Sequence, residues 1–258
     1  MIISHRHRFI FFKPFKTGGT TVEQSIRRLP GLGRQDVYTG LSKLTKKGLK
    51  QSIDAQNHLK RNVAPRRGER HVNSSLILSF YKLVEHETPG KIEKLFPEAF
   101  KNYKCYSMTR NPFDTMVSYF WSLYNNPHSN PKLRIEKEES FETTKKKFKL
   151  FLTTPKKWRS QMLNTQSKGE LKKILPSDAV AIINEEMSCI ENIIKFENIE
   201  KGLRDYFSYD GSFELPKFNS GFRTSEMPYQ EYYEGSKDLV EIIEKSFPNT
   251  LKVHKYKL

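Results

Sequence analysis

The chain reads as an α/β layered fold: a central, mostly parallel sheet flanked by helices, in one domain over residues 1–258. Three observations carry that expectation. A short apolar run at the N-terminus breaks into glycines and then into a helical pattern. A second strand-like run, "YKCYSMT", passes directly into another helical pattern. Strand-like and helix-like segments then alternate to the C-terminus without an internal repeat, the arrangement expected of layered α/β proteins.

In chain order, "RFIFFK" is apolar and flanked by charge, as suits a strand buried on both faces. After the glycines, "TTVEQSIRRL" brings Val22, Ile26 and Leu29 onto one helical face, and "PGLG" ends it. From Leu41 to Arg70 nine Lys and Arg stand against one Asp and one Glu, with little periodicity. A basic, solvated excursion is expected over about 41–75. "SLILSFYKLVEH" fits helix or strand equally well. "TPGKIEKLF" carries a capping threonine and a proline at the first helical position. In "RNPFDTMVSYFWSLY", Asn111 caps, Pro112 suits the first turn, and Met116, Tyr119, Phe120 and Leu123 share one face. The Lys/Glu-rich stretch within about 125–160 is expected to form a helical lid or insertion. "AVAIINEE" and "CIENIIKFENI" read as further strands, "EKGLRDYF" as a helix, "LPKFNSGFRTSEMP" as a loop and "EYYEGSKDLVEIIEKSF" as a closing helix.

Composition narrows the function. At 36% hydrophobic residues the chain is globular, and a net charge of +16 points to anionic partners. Cys105 and Cys189 both fall in runs read as buried strands, so two free thiols are expected; there is no CxxC pair and no metal-ligand spacing. The charged start followed by about four apolar residues is too short for a signal peptide or a membrane anchor, so a soluble, cytoplasmic protein without a membrane span is expected. No helix-turn-helix, zinc-finger or RNP1 pattern is visible, so no specific nucleic-acid partner is expected. Trp121, Trp158 and the tyrosines near Tyr232 suit the core, with stacking on a sugar or adenine as the alternative.

Two stretches carry chemistry. In "FKTGGTTV", Gly18 and Gly19 let the backbone approach an anion, Thr20 and Thr21 put hydroxyls at a helix start, and Lys16 adds a cation before the glycines. A Walker A loop has its lysine after the glycines, and that pattern is absent. In "TRNPFDTMVSYF", Arg110 stands where a strand ends, with Ser118 two helical turns later. A forked guanidinium and a hydroxyl suit a phosphate.

Together "KTGGTT" and "RNPFDTMVSYF" resemble the sulfotransferases that use 3'-phosphoadenosine 5'-phosphosulfate (PAPS), most closely the carbohydrate sulfotransferase branch. That resemblance implies a P-loop-NTPase-like fold. It also implies PAPS as donor co-substrate, adenosine 3',5'-bisphosphate (PAP) as product, and no required metal. The acceptor it implies is a hydroxyl, on a carbohydrate that is neutral or anionic. It assigns Lys16, Thr17, Gly18, Gly19, Thr20 and Thr21 to the 5'-phosphosulfate, and Arg110 and Ser118 to the 3'-phosphate. Lys16 is further implied at the oxygen bridging phosphate and sulfate. "LPKFNSGFRTSEMPYQEYY" is similar to the family's late loop, which makes Arg223 a donor contact. "VEHETPGKIEKLF" makes His86 the expected general base, with His71, His58, Glu85 and Glu87 as alternatives. Two other readings remain: a P-loop-type nucleotide kinase, and a basic polyanion-binding module without catalysis.

Overall fold

The computed structural model describes residues 1–4, 7–26, 28–29, 37–39, 86–125, 139–159, 170–216, 223 and 225–258. Among these the strands are β1 (Ile2–Ser4), β2 (Phe9–Phe11), β3 (Val37–Thr39), β4 (Lys104–Thr109), β5 (Lys156–Arg159), β6 (Leu171–Ile174) and β7 (Asn192–Lys195). The helices are α1 (Gly19–Ile26), α2 (Pro89–Leu95), α3 (Pro97–Asn102), α4 (Pro112–Tyr124), α5 (Phe141–Thr153), α6 (Pro176–Met187), α7 (Ile199–Phe207), α8 (Lys237–Ser246) and α9 (Pro248–His254). The chain folds into two compact units built from non-consecutive segments. The first holds Met1–Pro14, Gly18–Met108 and Cys189–Pro216; the second holds Phe15–Thr17, Thr109–Ser188 and Lys217–Leu258.

The first unit is built on a five-stranded sheet in the order β3-β1-β2-β4-β7. β2 and β4 pair in parallel with Phe9 opposite Lys104 and Phe11 opposite Tyr106, as their apolar character predicts. The sheet is mixed rather than mostly parallel, because β1 pairs antiparallel with both β2 and β3. Only residues 5–8 join β1 to β2, far too few for the crossover that a parallel pair needs. Phe9 and Phe11 join Val22 and Ile26 of α1 and Leu203 of α7 in one apolar cluster. Just past the strand, Phe12 packs edge-on against Phe100 of α3. α7 lies close on β7, since a Cβ at Gly202 would meet Ile194 at 2.7 Å. Thr88 stands at the N-cap of α2 as expected, but its side chain makes no capping bond.

The second unit is helical around an aromatic core, with β5 and β6 forming an antiparallel ribbon. Phe113, Phe120 and Trp121 of α4 pack with Phe148 and Phe151 of α5, Val180 of α6, Tyr232, Tyr233 and Phe247. Asn111 caps α4 by accepting from Phe113 N, as the sequence predicts. Trp121 donates to the Tyr232 hydroxyl inside this core, so neither ring is presented for stacking. Trp158 is half-buried beside Tyr119.

Several expectations change. "AVAIINEE" lies within helix α6 and is not a strand. Pro176 stands at its first position and Asp178 in its first turn, and the apolar run is one helical face. "CIENIIKFENI" does contain β7, followed by a single 3₁₀ turn over Phe196–Asn198. Both cysteines are free thiols, but Cys189 is exposed in the turn after α6, and Cys105 is only half-buried in β4. Within 125–160, α5 buries Phe148, Phe151 and Leu152 in the core. The basic excursion at 41–75, His58, His71 and Glu85 lie outside the described residues. No helix among the described residues is long and apolar enough to cross a membrane.

Candidate anion site

The second unit holds the cationic part of both motifs. β4 ends at Thr109, and Pro112 starts α4 after a turn of two residues, Arg110 and Asn111. This geometry brings Arg110 and Asp114 to helical i,i+4 spacing. Arg110 Nε donates to Asp114 Oδ2 at 2.9 Å, and Nη2 lies 2.7 Å from the same oxygen. The other oxygen, Oδ1, lies 3.4 Å from Nη1 of Arg223. Arg223 is steadied further by Met227 O and by the Tyr232 ring beneath its guanidinium. One carboxylate thus orients two arginines.

Arg110 also reaches the first motif. Its Nη1 donates to the backbone oxygen of Lys16 at 3.2 Å. Two residues assigned to opposite ends of one donor, and 94 positions apart in sequence, therefore meet. Lys16 itself lies in a left-handed turn, φ +61°, which costs a residue with a side chain about 1–2 kcal/mol. Desolvation and the neighbouring Arg110 charge push its ammonium pKa down to about 8. Among the described residues no carboxylate pairs with it. Asp114 thus bonds both arginines, and the Arg110 charge in turn acts on Lys16.

Ser118 continues the row. Asp114 and Ser118 are four residues apart on α4 and are half-buried, whereas the residues between them are buried. The two therefore share the more open face of the helix. Thr17 is buried in the same unit.

The glycines, the other two threonines and the histidine belong to the first unit. Gly18 has φ +81°, and a Cβ there would meet the Phe196 ring at 2.7 Å, so only glycine fits without a shift. Gly19 begins α1, in which the amides of Thr21 and Val22 donate back to Gly18 O at 2.9 and 3.5 Å. Thr20 is half-buried, and Thr21 donates its hydroxyl hydrogen to Pro216 O at 3.0 Å. Nδ1 of His86 lies 2.8 Å from Lys13 O. A carbonyl only accepts, so in the neutral ring Nδ1 carries the proton and Nε2 carries the lone pair. Glu87 is fully buried and ion-paired with Lys91 at 2.8 Å.

Sequence reasoning missed two residues of this arrangement. Asp114 was detectable, because an acidic residue four positions after an arginine at a helix start is a standard pairing. Asn184, which bonds the backbone of Phe15 at 2.7 and 3.0 Å, comes from a helix 169 positions away and has no local signal. Comparison with protein-family models, with curated proteins and with solved structures found no match. What the geometry offers is charge: oriented guanidinium donors and a desolvated ammonium, suited to an oxyanion with charge on several oxygens.

Proposed function

We propose that this chain is a sulfotransferase that moves a sulfuryl group from PAPS to an acceptor hydroxyl, on a carbohydrate, in a P-loop-like fold. The observation that carries the reading is that the two motifs meet, with Arg110 Nη1 donating to the backbone oxygen of Lys16 at 3.2 Å. Beside that contact the Lys16 ammonium is desolvated and has the Arg110 cation as its charged neighbour, which disfavours its charge until an anion arrives.

In this reading Arg110 and Ser118 bind the 3'-phosphate and Arg223 adds a further donor contact. Thr17, Gly18, Gly19 and Thr20 hold the 5'-phosphosulfate, while the Thr21 amide and hydroxyl donate to Gly18 O and Pro216 O. Lys16 meets the oxygen that bridges phosphorus and sulfur. The acceptor oxygen attacks sulfur in line, the bond from sulfur to the bridging oxygen breaks, and the electron pair leaves on the phosphate. Lys16 offsets the charge appearing there, and positioning and electrostatics supply most of the acceleration. The acceptor proton goes to a base, His86 in this reading, whose tautomer the Lys13 carbonyl fixes.

Mixing the protein with radiolabelled PAPS and a panel of glycans tests this. Transfer of label that persists in EDTA is expected, with turnover about 10²–10³-fold lower in Lys16→Ala. Transfer that required magnesium and ATP would favour a kinase. Salt-sensitive binding of generic polyanions without transfer would favour a binding module.

A further inference from the structure

We propose that Asn184 is the positioning residue of the anion site: its amide grips Phe15 by both backbone groups and so holds the next residue, Lys16, in its left-handed turn.

Asn184 lies on the buried face of α6, one turn after Val180 and one turn before Met187. That face is otherwise mostly apolar, and a helix made only to pack would favour leucine there. A buried amide is tolerated only when both of its ends are bonded. Here both are. Phe15 N donates to Oδ1 at 2.7 Å, and Nδ2 donates to Phe15 O at 3.0 Å. Since one partner can only donate and the other can only accept, the orientation of the amide is fixed by the pair. No other side chain of this length offers an acceptor and a donor together without charge. The Phe15 ring is also anchored, edge-on against Tyr119 at 5.0 Å.

The clamp matters because Lys16 has two reasons to move. Its backbone conformation is strained, and its ammonium is poorly solvated. A small rotation of the preceding peptide would relieve both by letting the side chain swing into water. On the far side of Lys16, the Arg110 bond to Lys16 O resists that rotation. On the near side, Asn184 adds its two bonds to the Phe15 backbone. Two bonds from a rigid helix therefore keep the cation in place before any anion arrives, as a preorganised electrostatic site requires.

The functional consequence rests on the anion-site reading, but the test does not need nucleotide. Competitive acetylation of lysines with acetic anhydride across pH, resolved by peptide mass spectrometry, reports the ionisation midpoint of Lys16. Wild type is expected near 8. In Asn184→Leu the midpoint should rise by at least one unit toward the ordinary lysine value of 10.5. Val180→Ala, a core truncation on the same helix, should lower the melting temperature and leave the midpoint where it was. If Asn184→Leu does not fold, Asn184→Ala carries the same expectation. The proposal is overturned if the Asn184 variants melt earlier with an unchanged midpoint, or if Val180→Ala moves it equally. An absence of sulfuryl transfer in wild type would leave this result intact and count against the proposed activity instead.

Discussion

Lys13 and Lys16 stand three residues apart on the stretch that follows β2, and their charges are balanced in opposite ways. Lys13 is buried and lies 3.2 Å from Glu23 of α1, with side-chain exposures of 5% and 9%. Lys16 has the guanidinium of Arg110 as its charged neighbour and a depressed pKa. The first arrangement is complete within the protein and serves the fold. In the proposed reading an incoming anion completes the second. In that reading the contrast sets a structural lysine beside a binding one.

Stability measurements break the comparison most easily. Lys13→Met strips Glu23 of its cation in a buried setting and should cost about 3–5 kcal/mol in denaturant unfolding. Lys16→Met removes a poorly solvated charge while keeping the apolar stem, and should be neutral or stabilising. Equal losses would erase the distinction. The pH dependence follows the same logic. Between about pH 8, where folded Lys16 titrates, and 10.5, where it titrates when unfolded, the unfolded chain binds more protons. The Lys16 contribution to stability should therefore rise with pH across that window, and this rise should vanish in Lys16→Met.

A smaller effect is expected at Asp114, which orients both Arg110 and Arg223. Asp114→Asn adds net positive charge, so mere attraction would improve. Loss of orientation should dominate for a shaped ligand, and affinity for PAP should fall about tenfold while affinity for inorganic sulfate does not. Titration calorimetry with both ligands separates the two effects. If both affinities rose, charge alone would be what the cluster provides. The smallest change is expected from Ser118→Ala. Losing one hydroxyl should weaken PAP about three- to tenfold and leave adenosine 5'-phosphate unaffected. Equal weakening of both would remove Ser118 from the 3'-phosphate.

How much of this could be seen in the sequence follows from the range of each interaction. β2, its glycine turn and α1 were legible because apolar runs, glycines and helical spacing are local. So was α4, where Asn111 and Pro112 cap and start the helix. β1 was missed because three residues, Ile2–Ser4, carry no period, and its pairing to β2 and β3 is what makes the sheet mixed. α6 was misread because its apolar run outweighed the start signal at Pro176. The sequence nominates Lys16 and Arg110 for one site, and the bond from Arg110 to the Lys16 backbone oxygen is the detail that the structure adds. Neither the Asp114 bridge to Arg223 nor the Asn184 clamp follows from spacing alone, since each joins segments more than 100 residues apart.

The most direct test of the central claim is proton uptake when PAP binds at pH 8. Titration calorimetry in buffers of different ionisation enthalpy counts the protons taken up. An anion seated on Lys16 raises its pKa from about 8, so wild type should take up about half a proton per nucleotide, and Lys16→Met should take up close to none. Binding with the same proton count in both proteins, or no binding to wild type at all, would contradict the account.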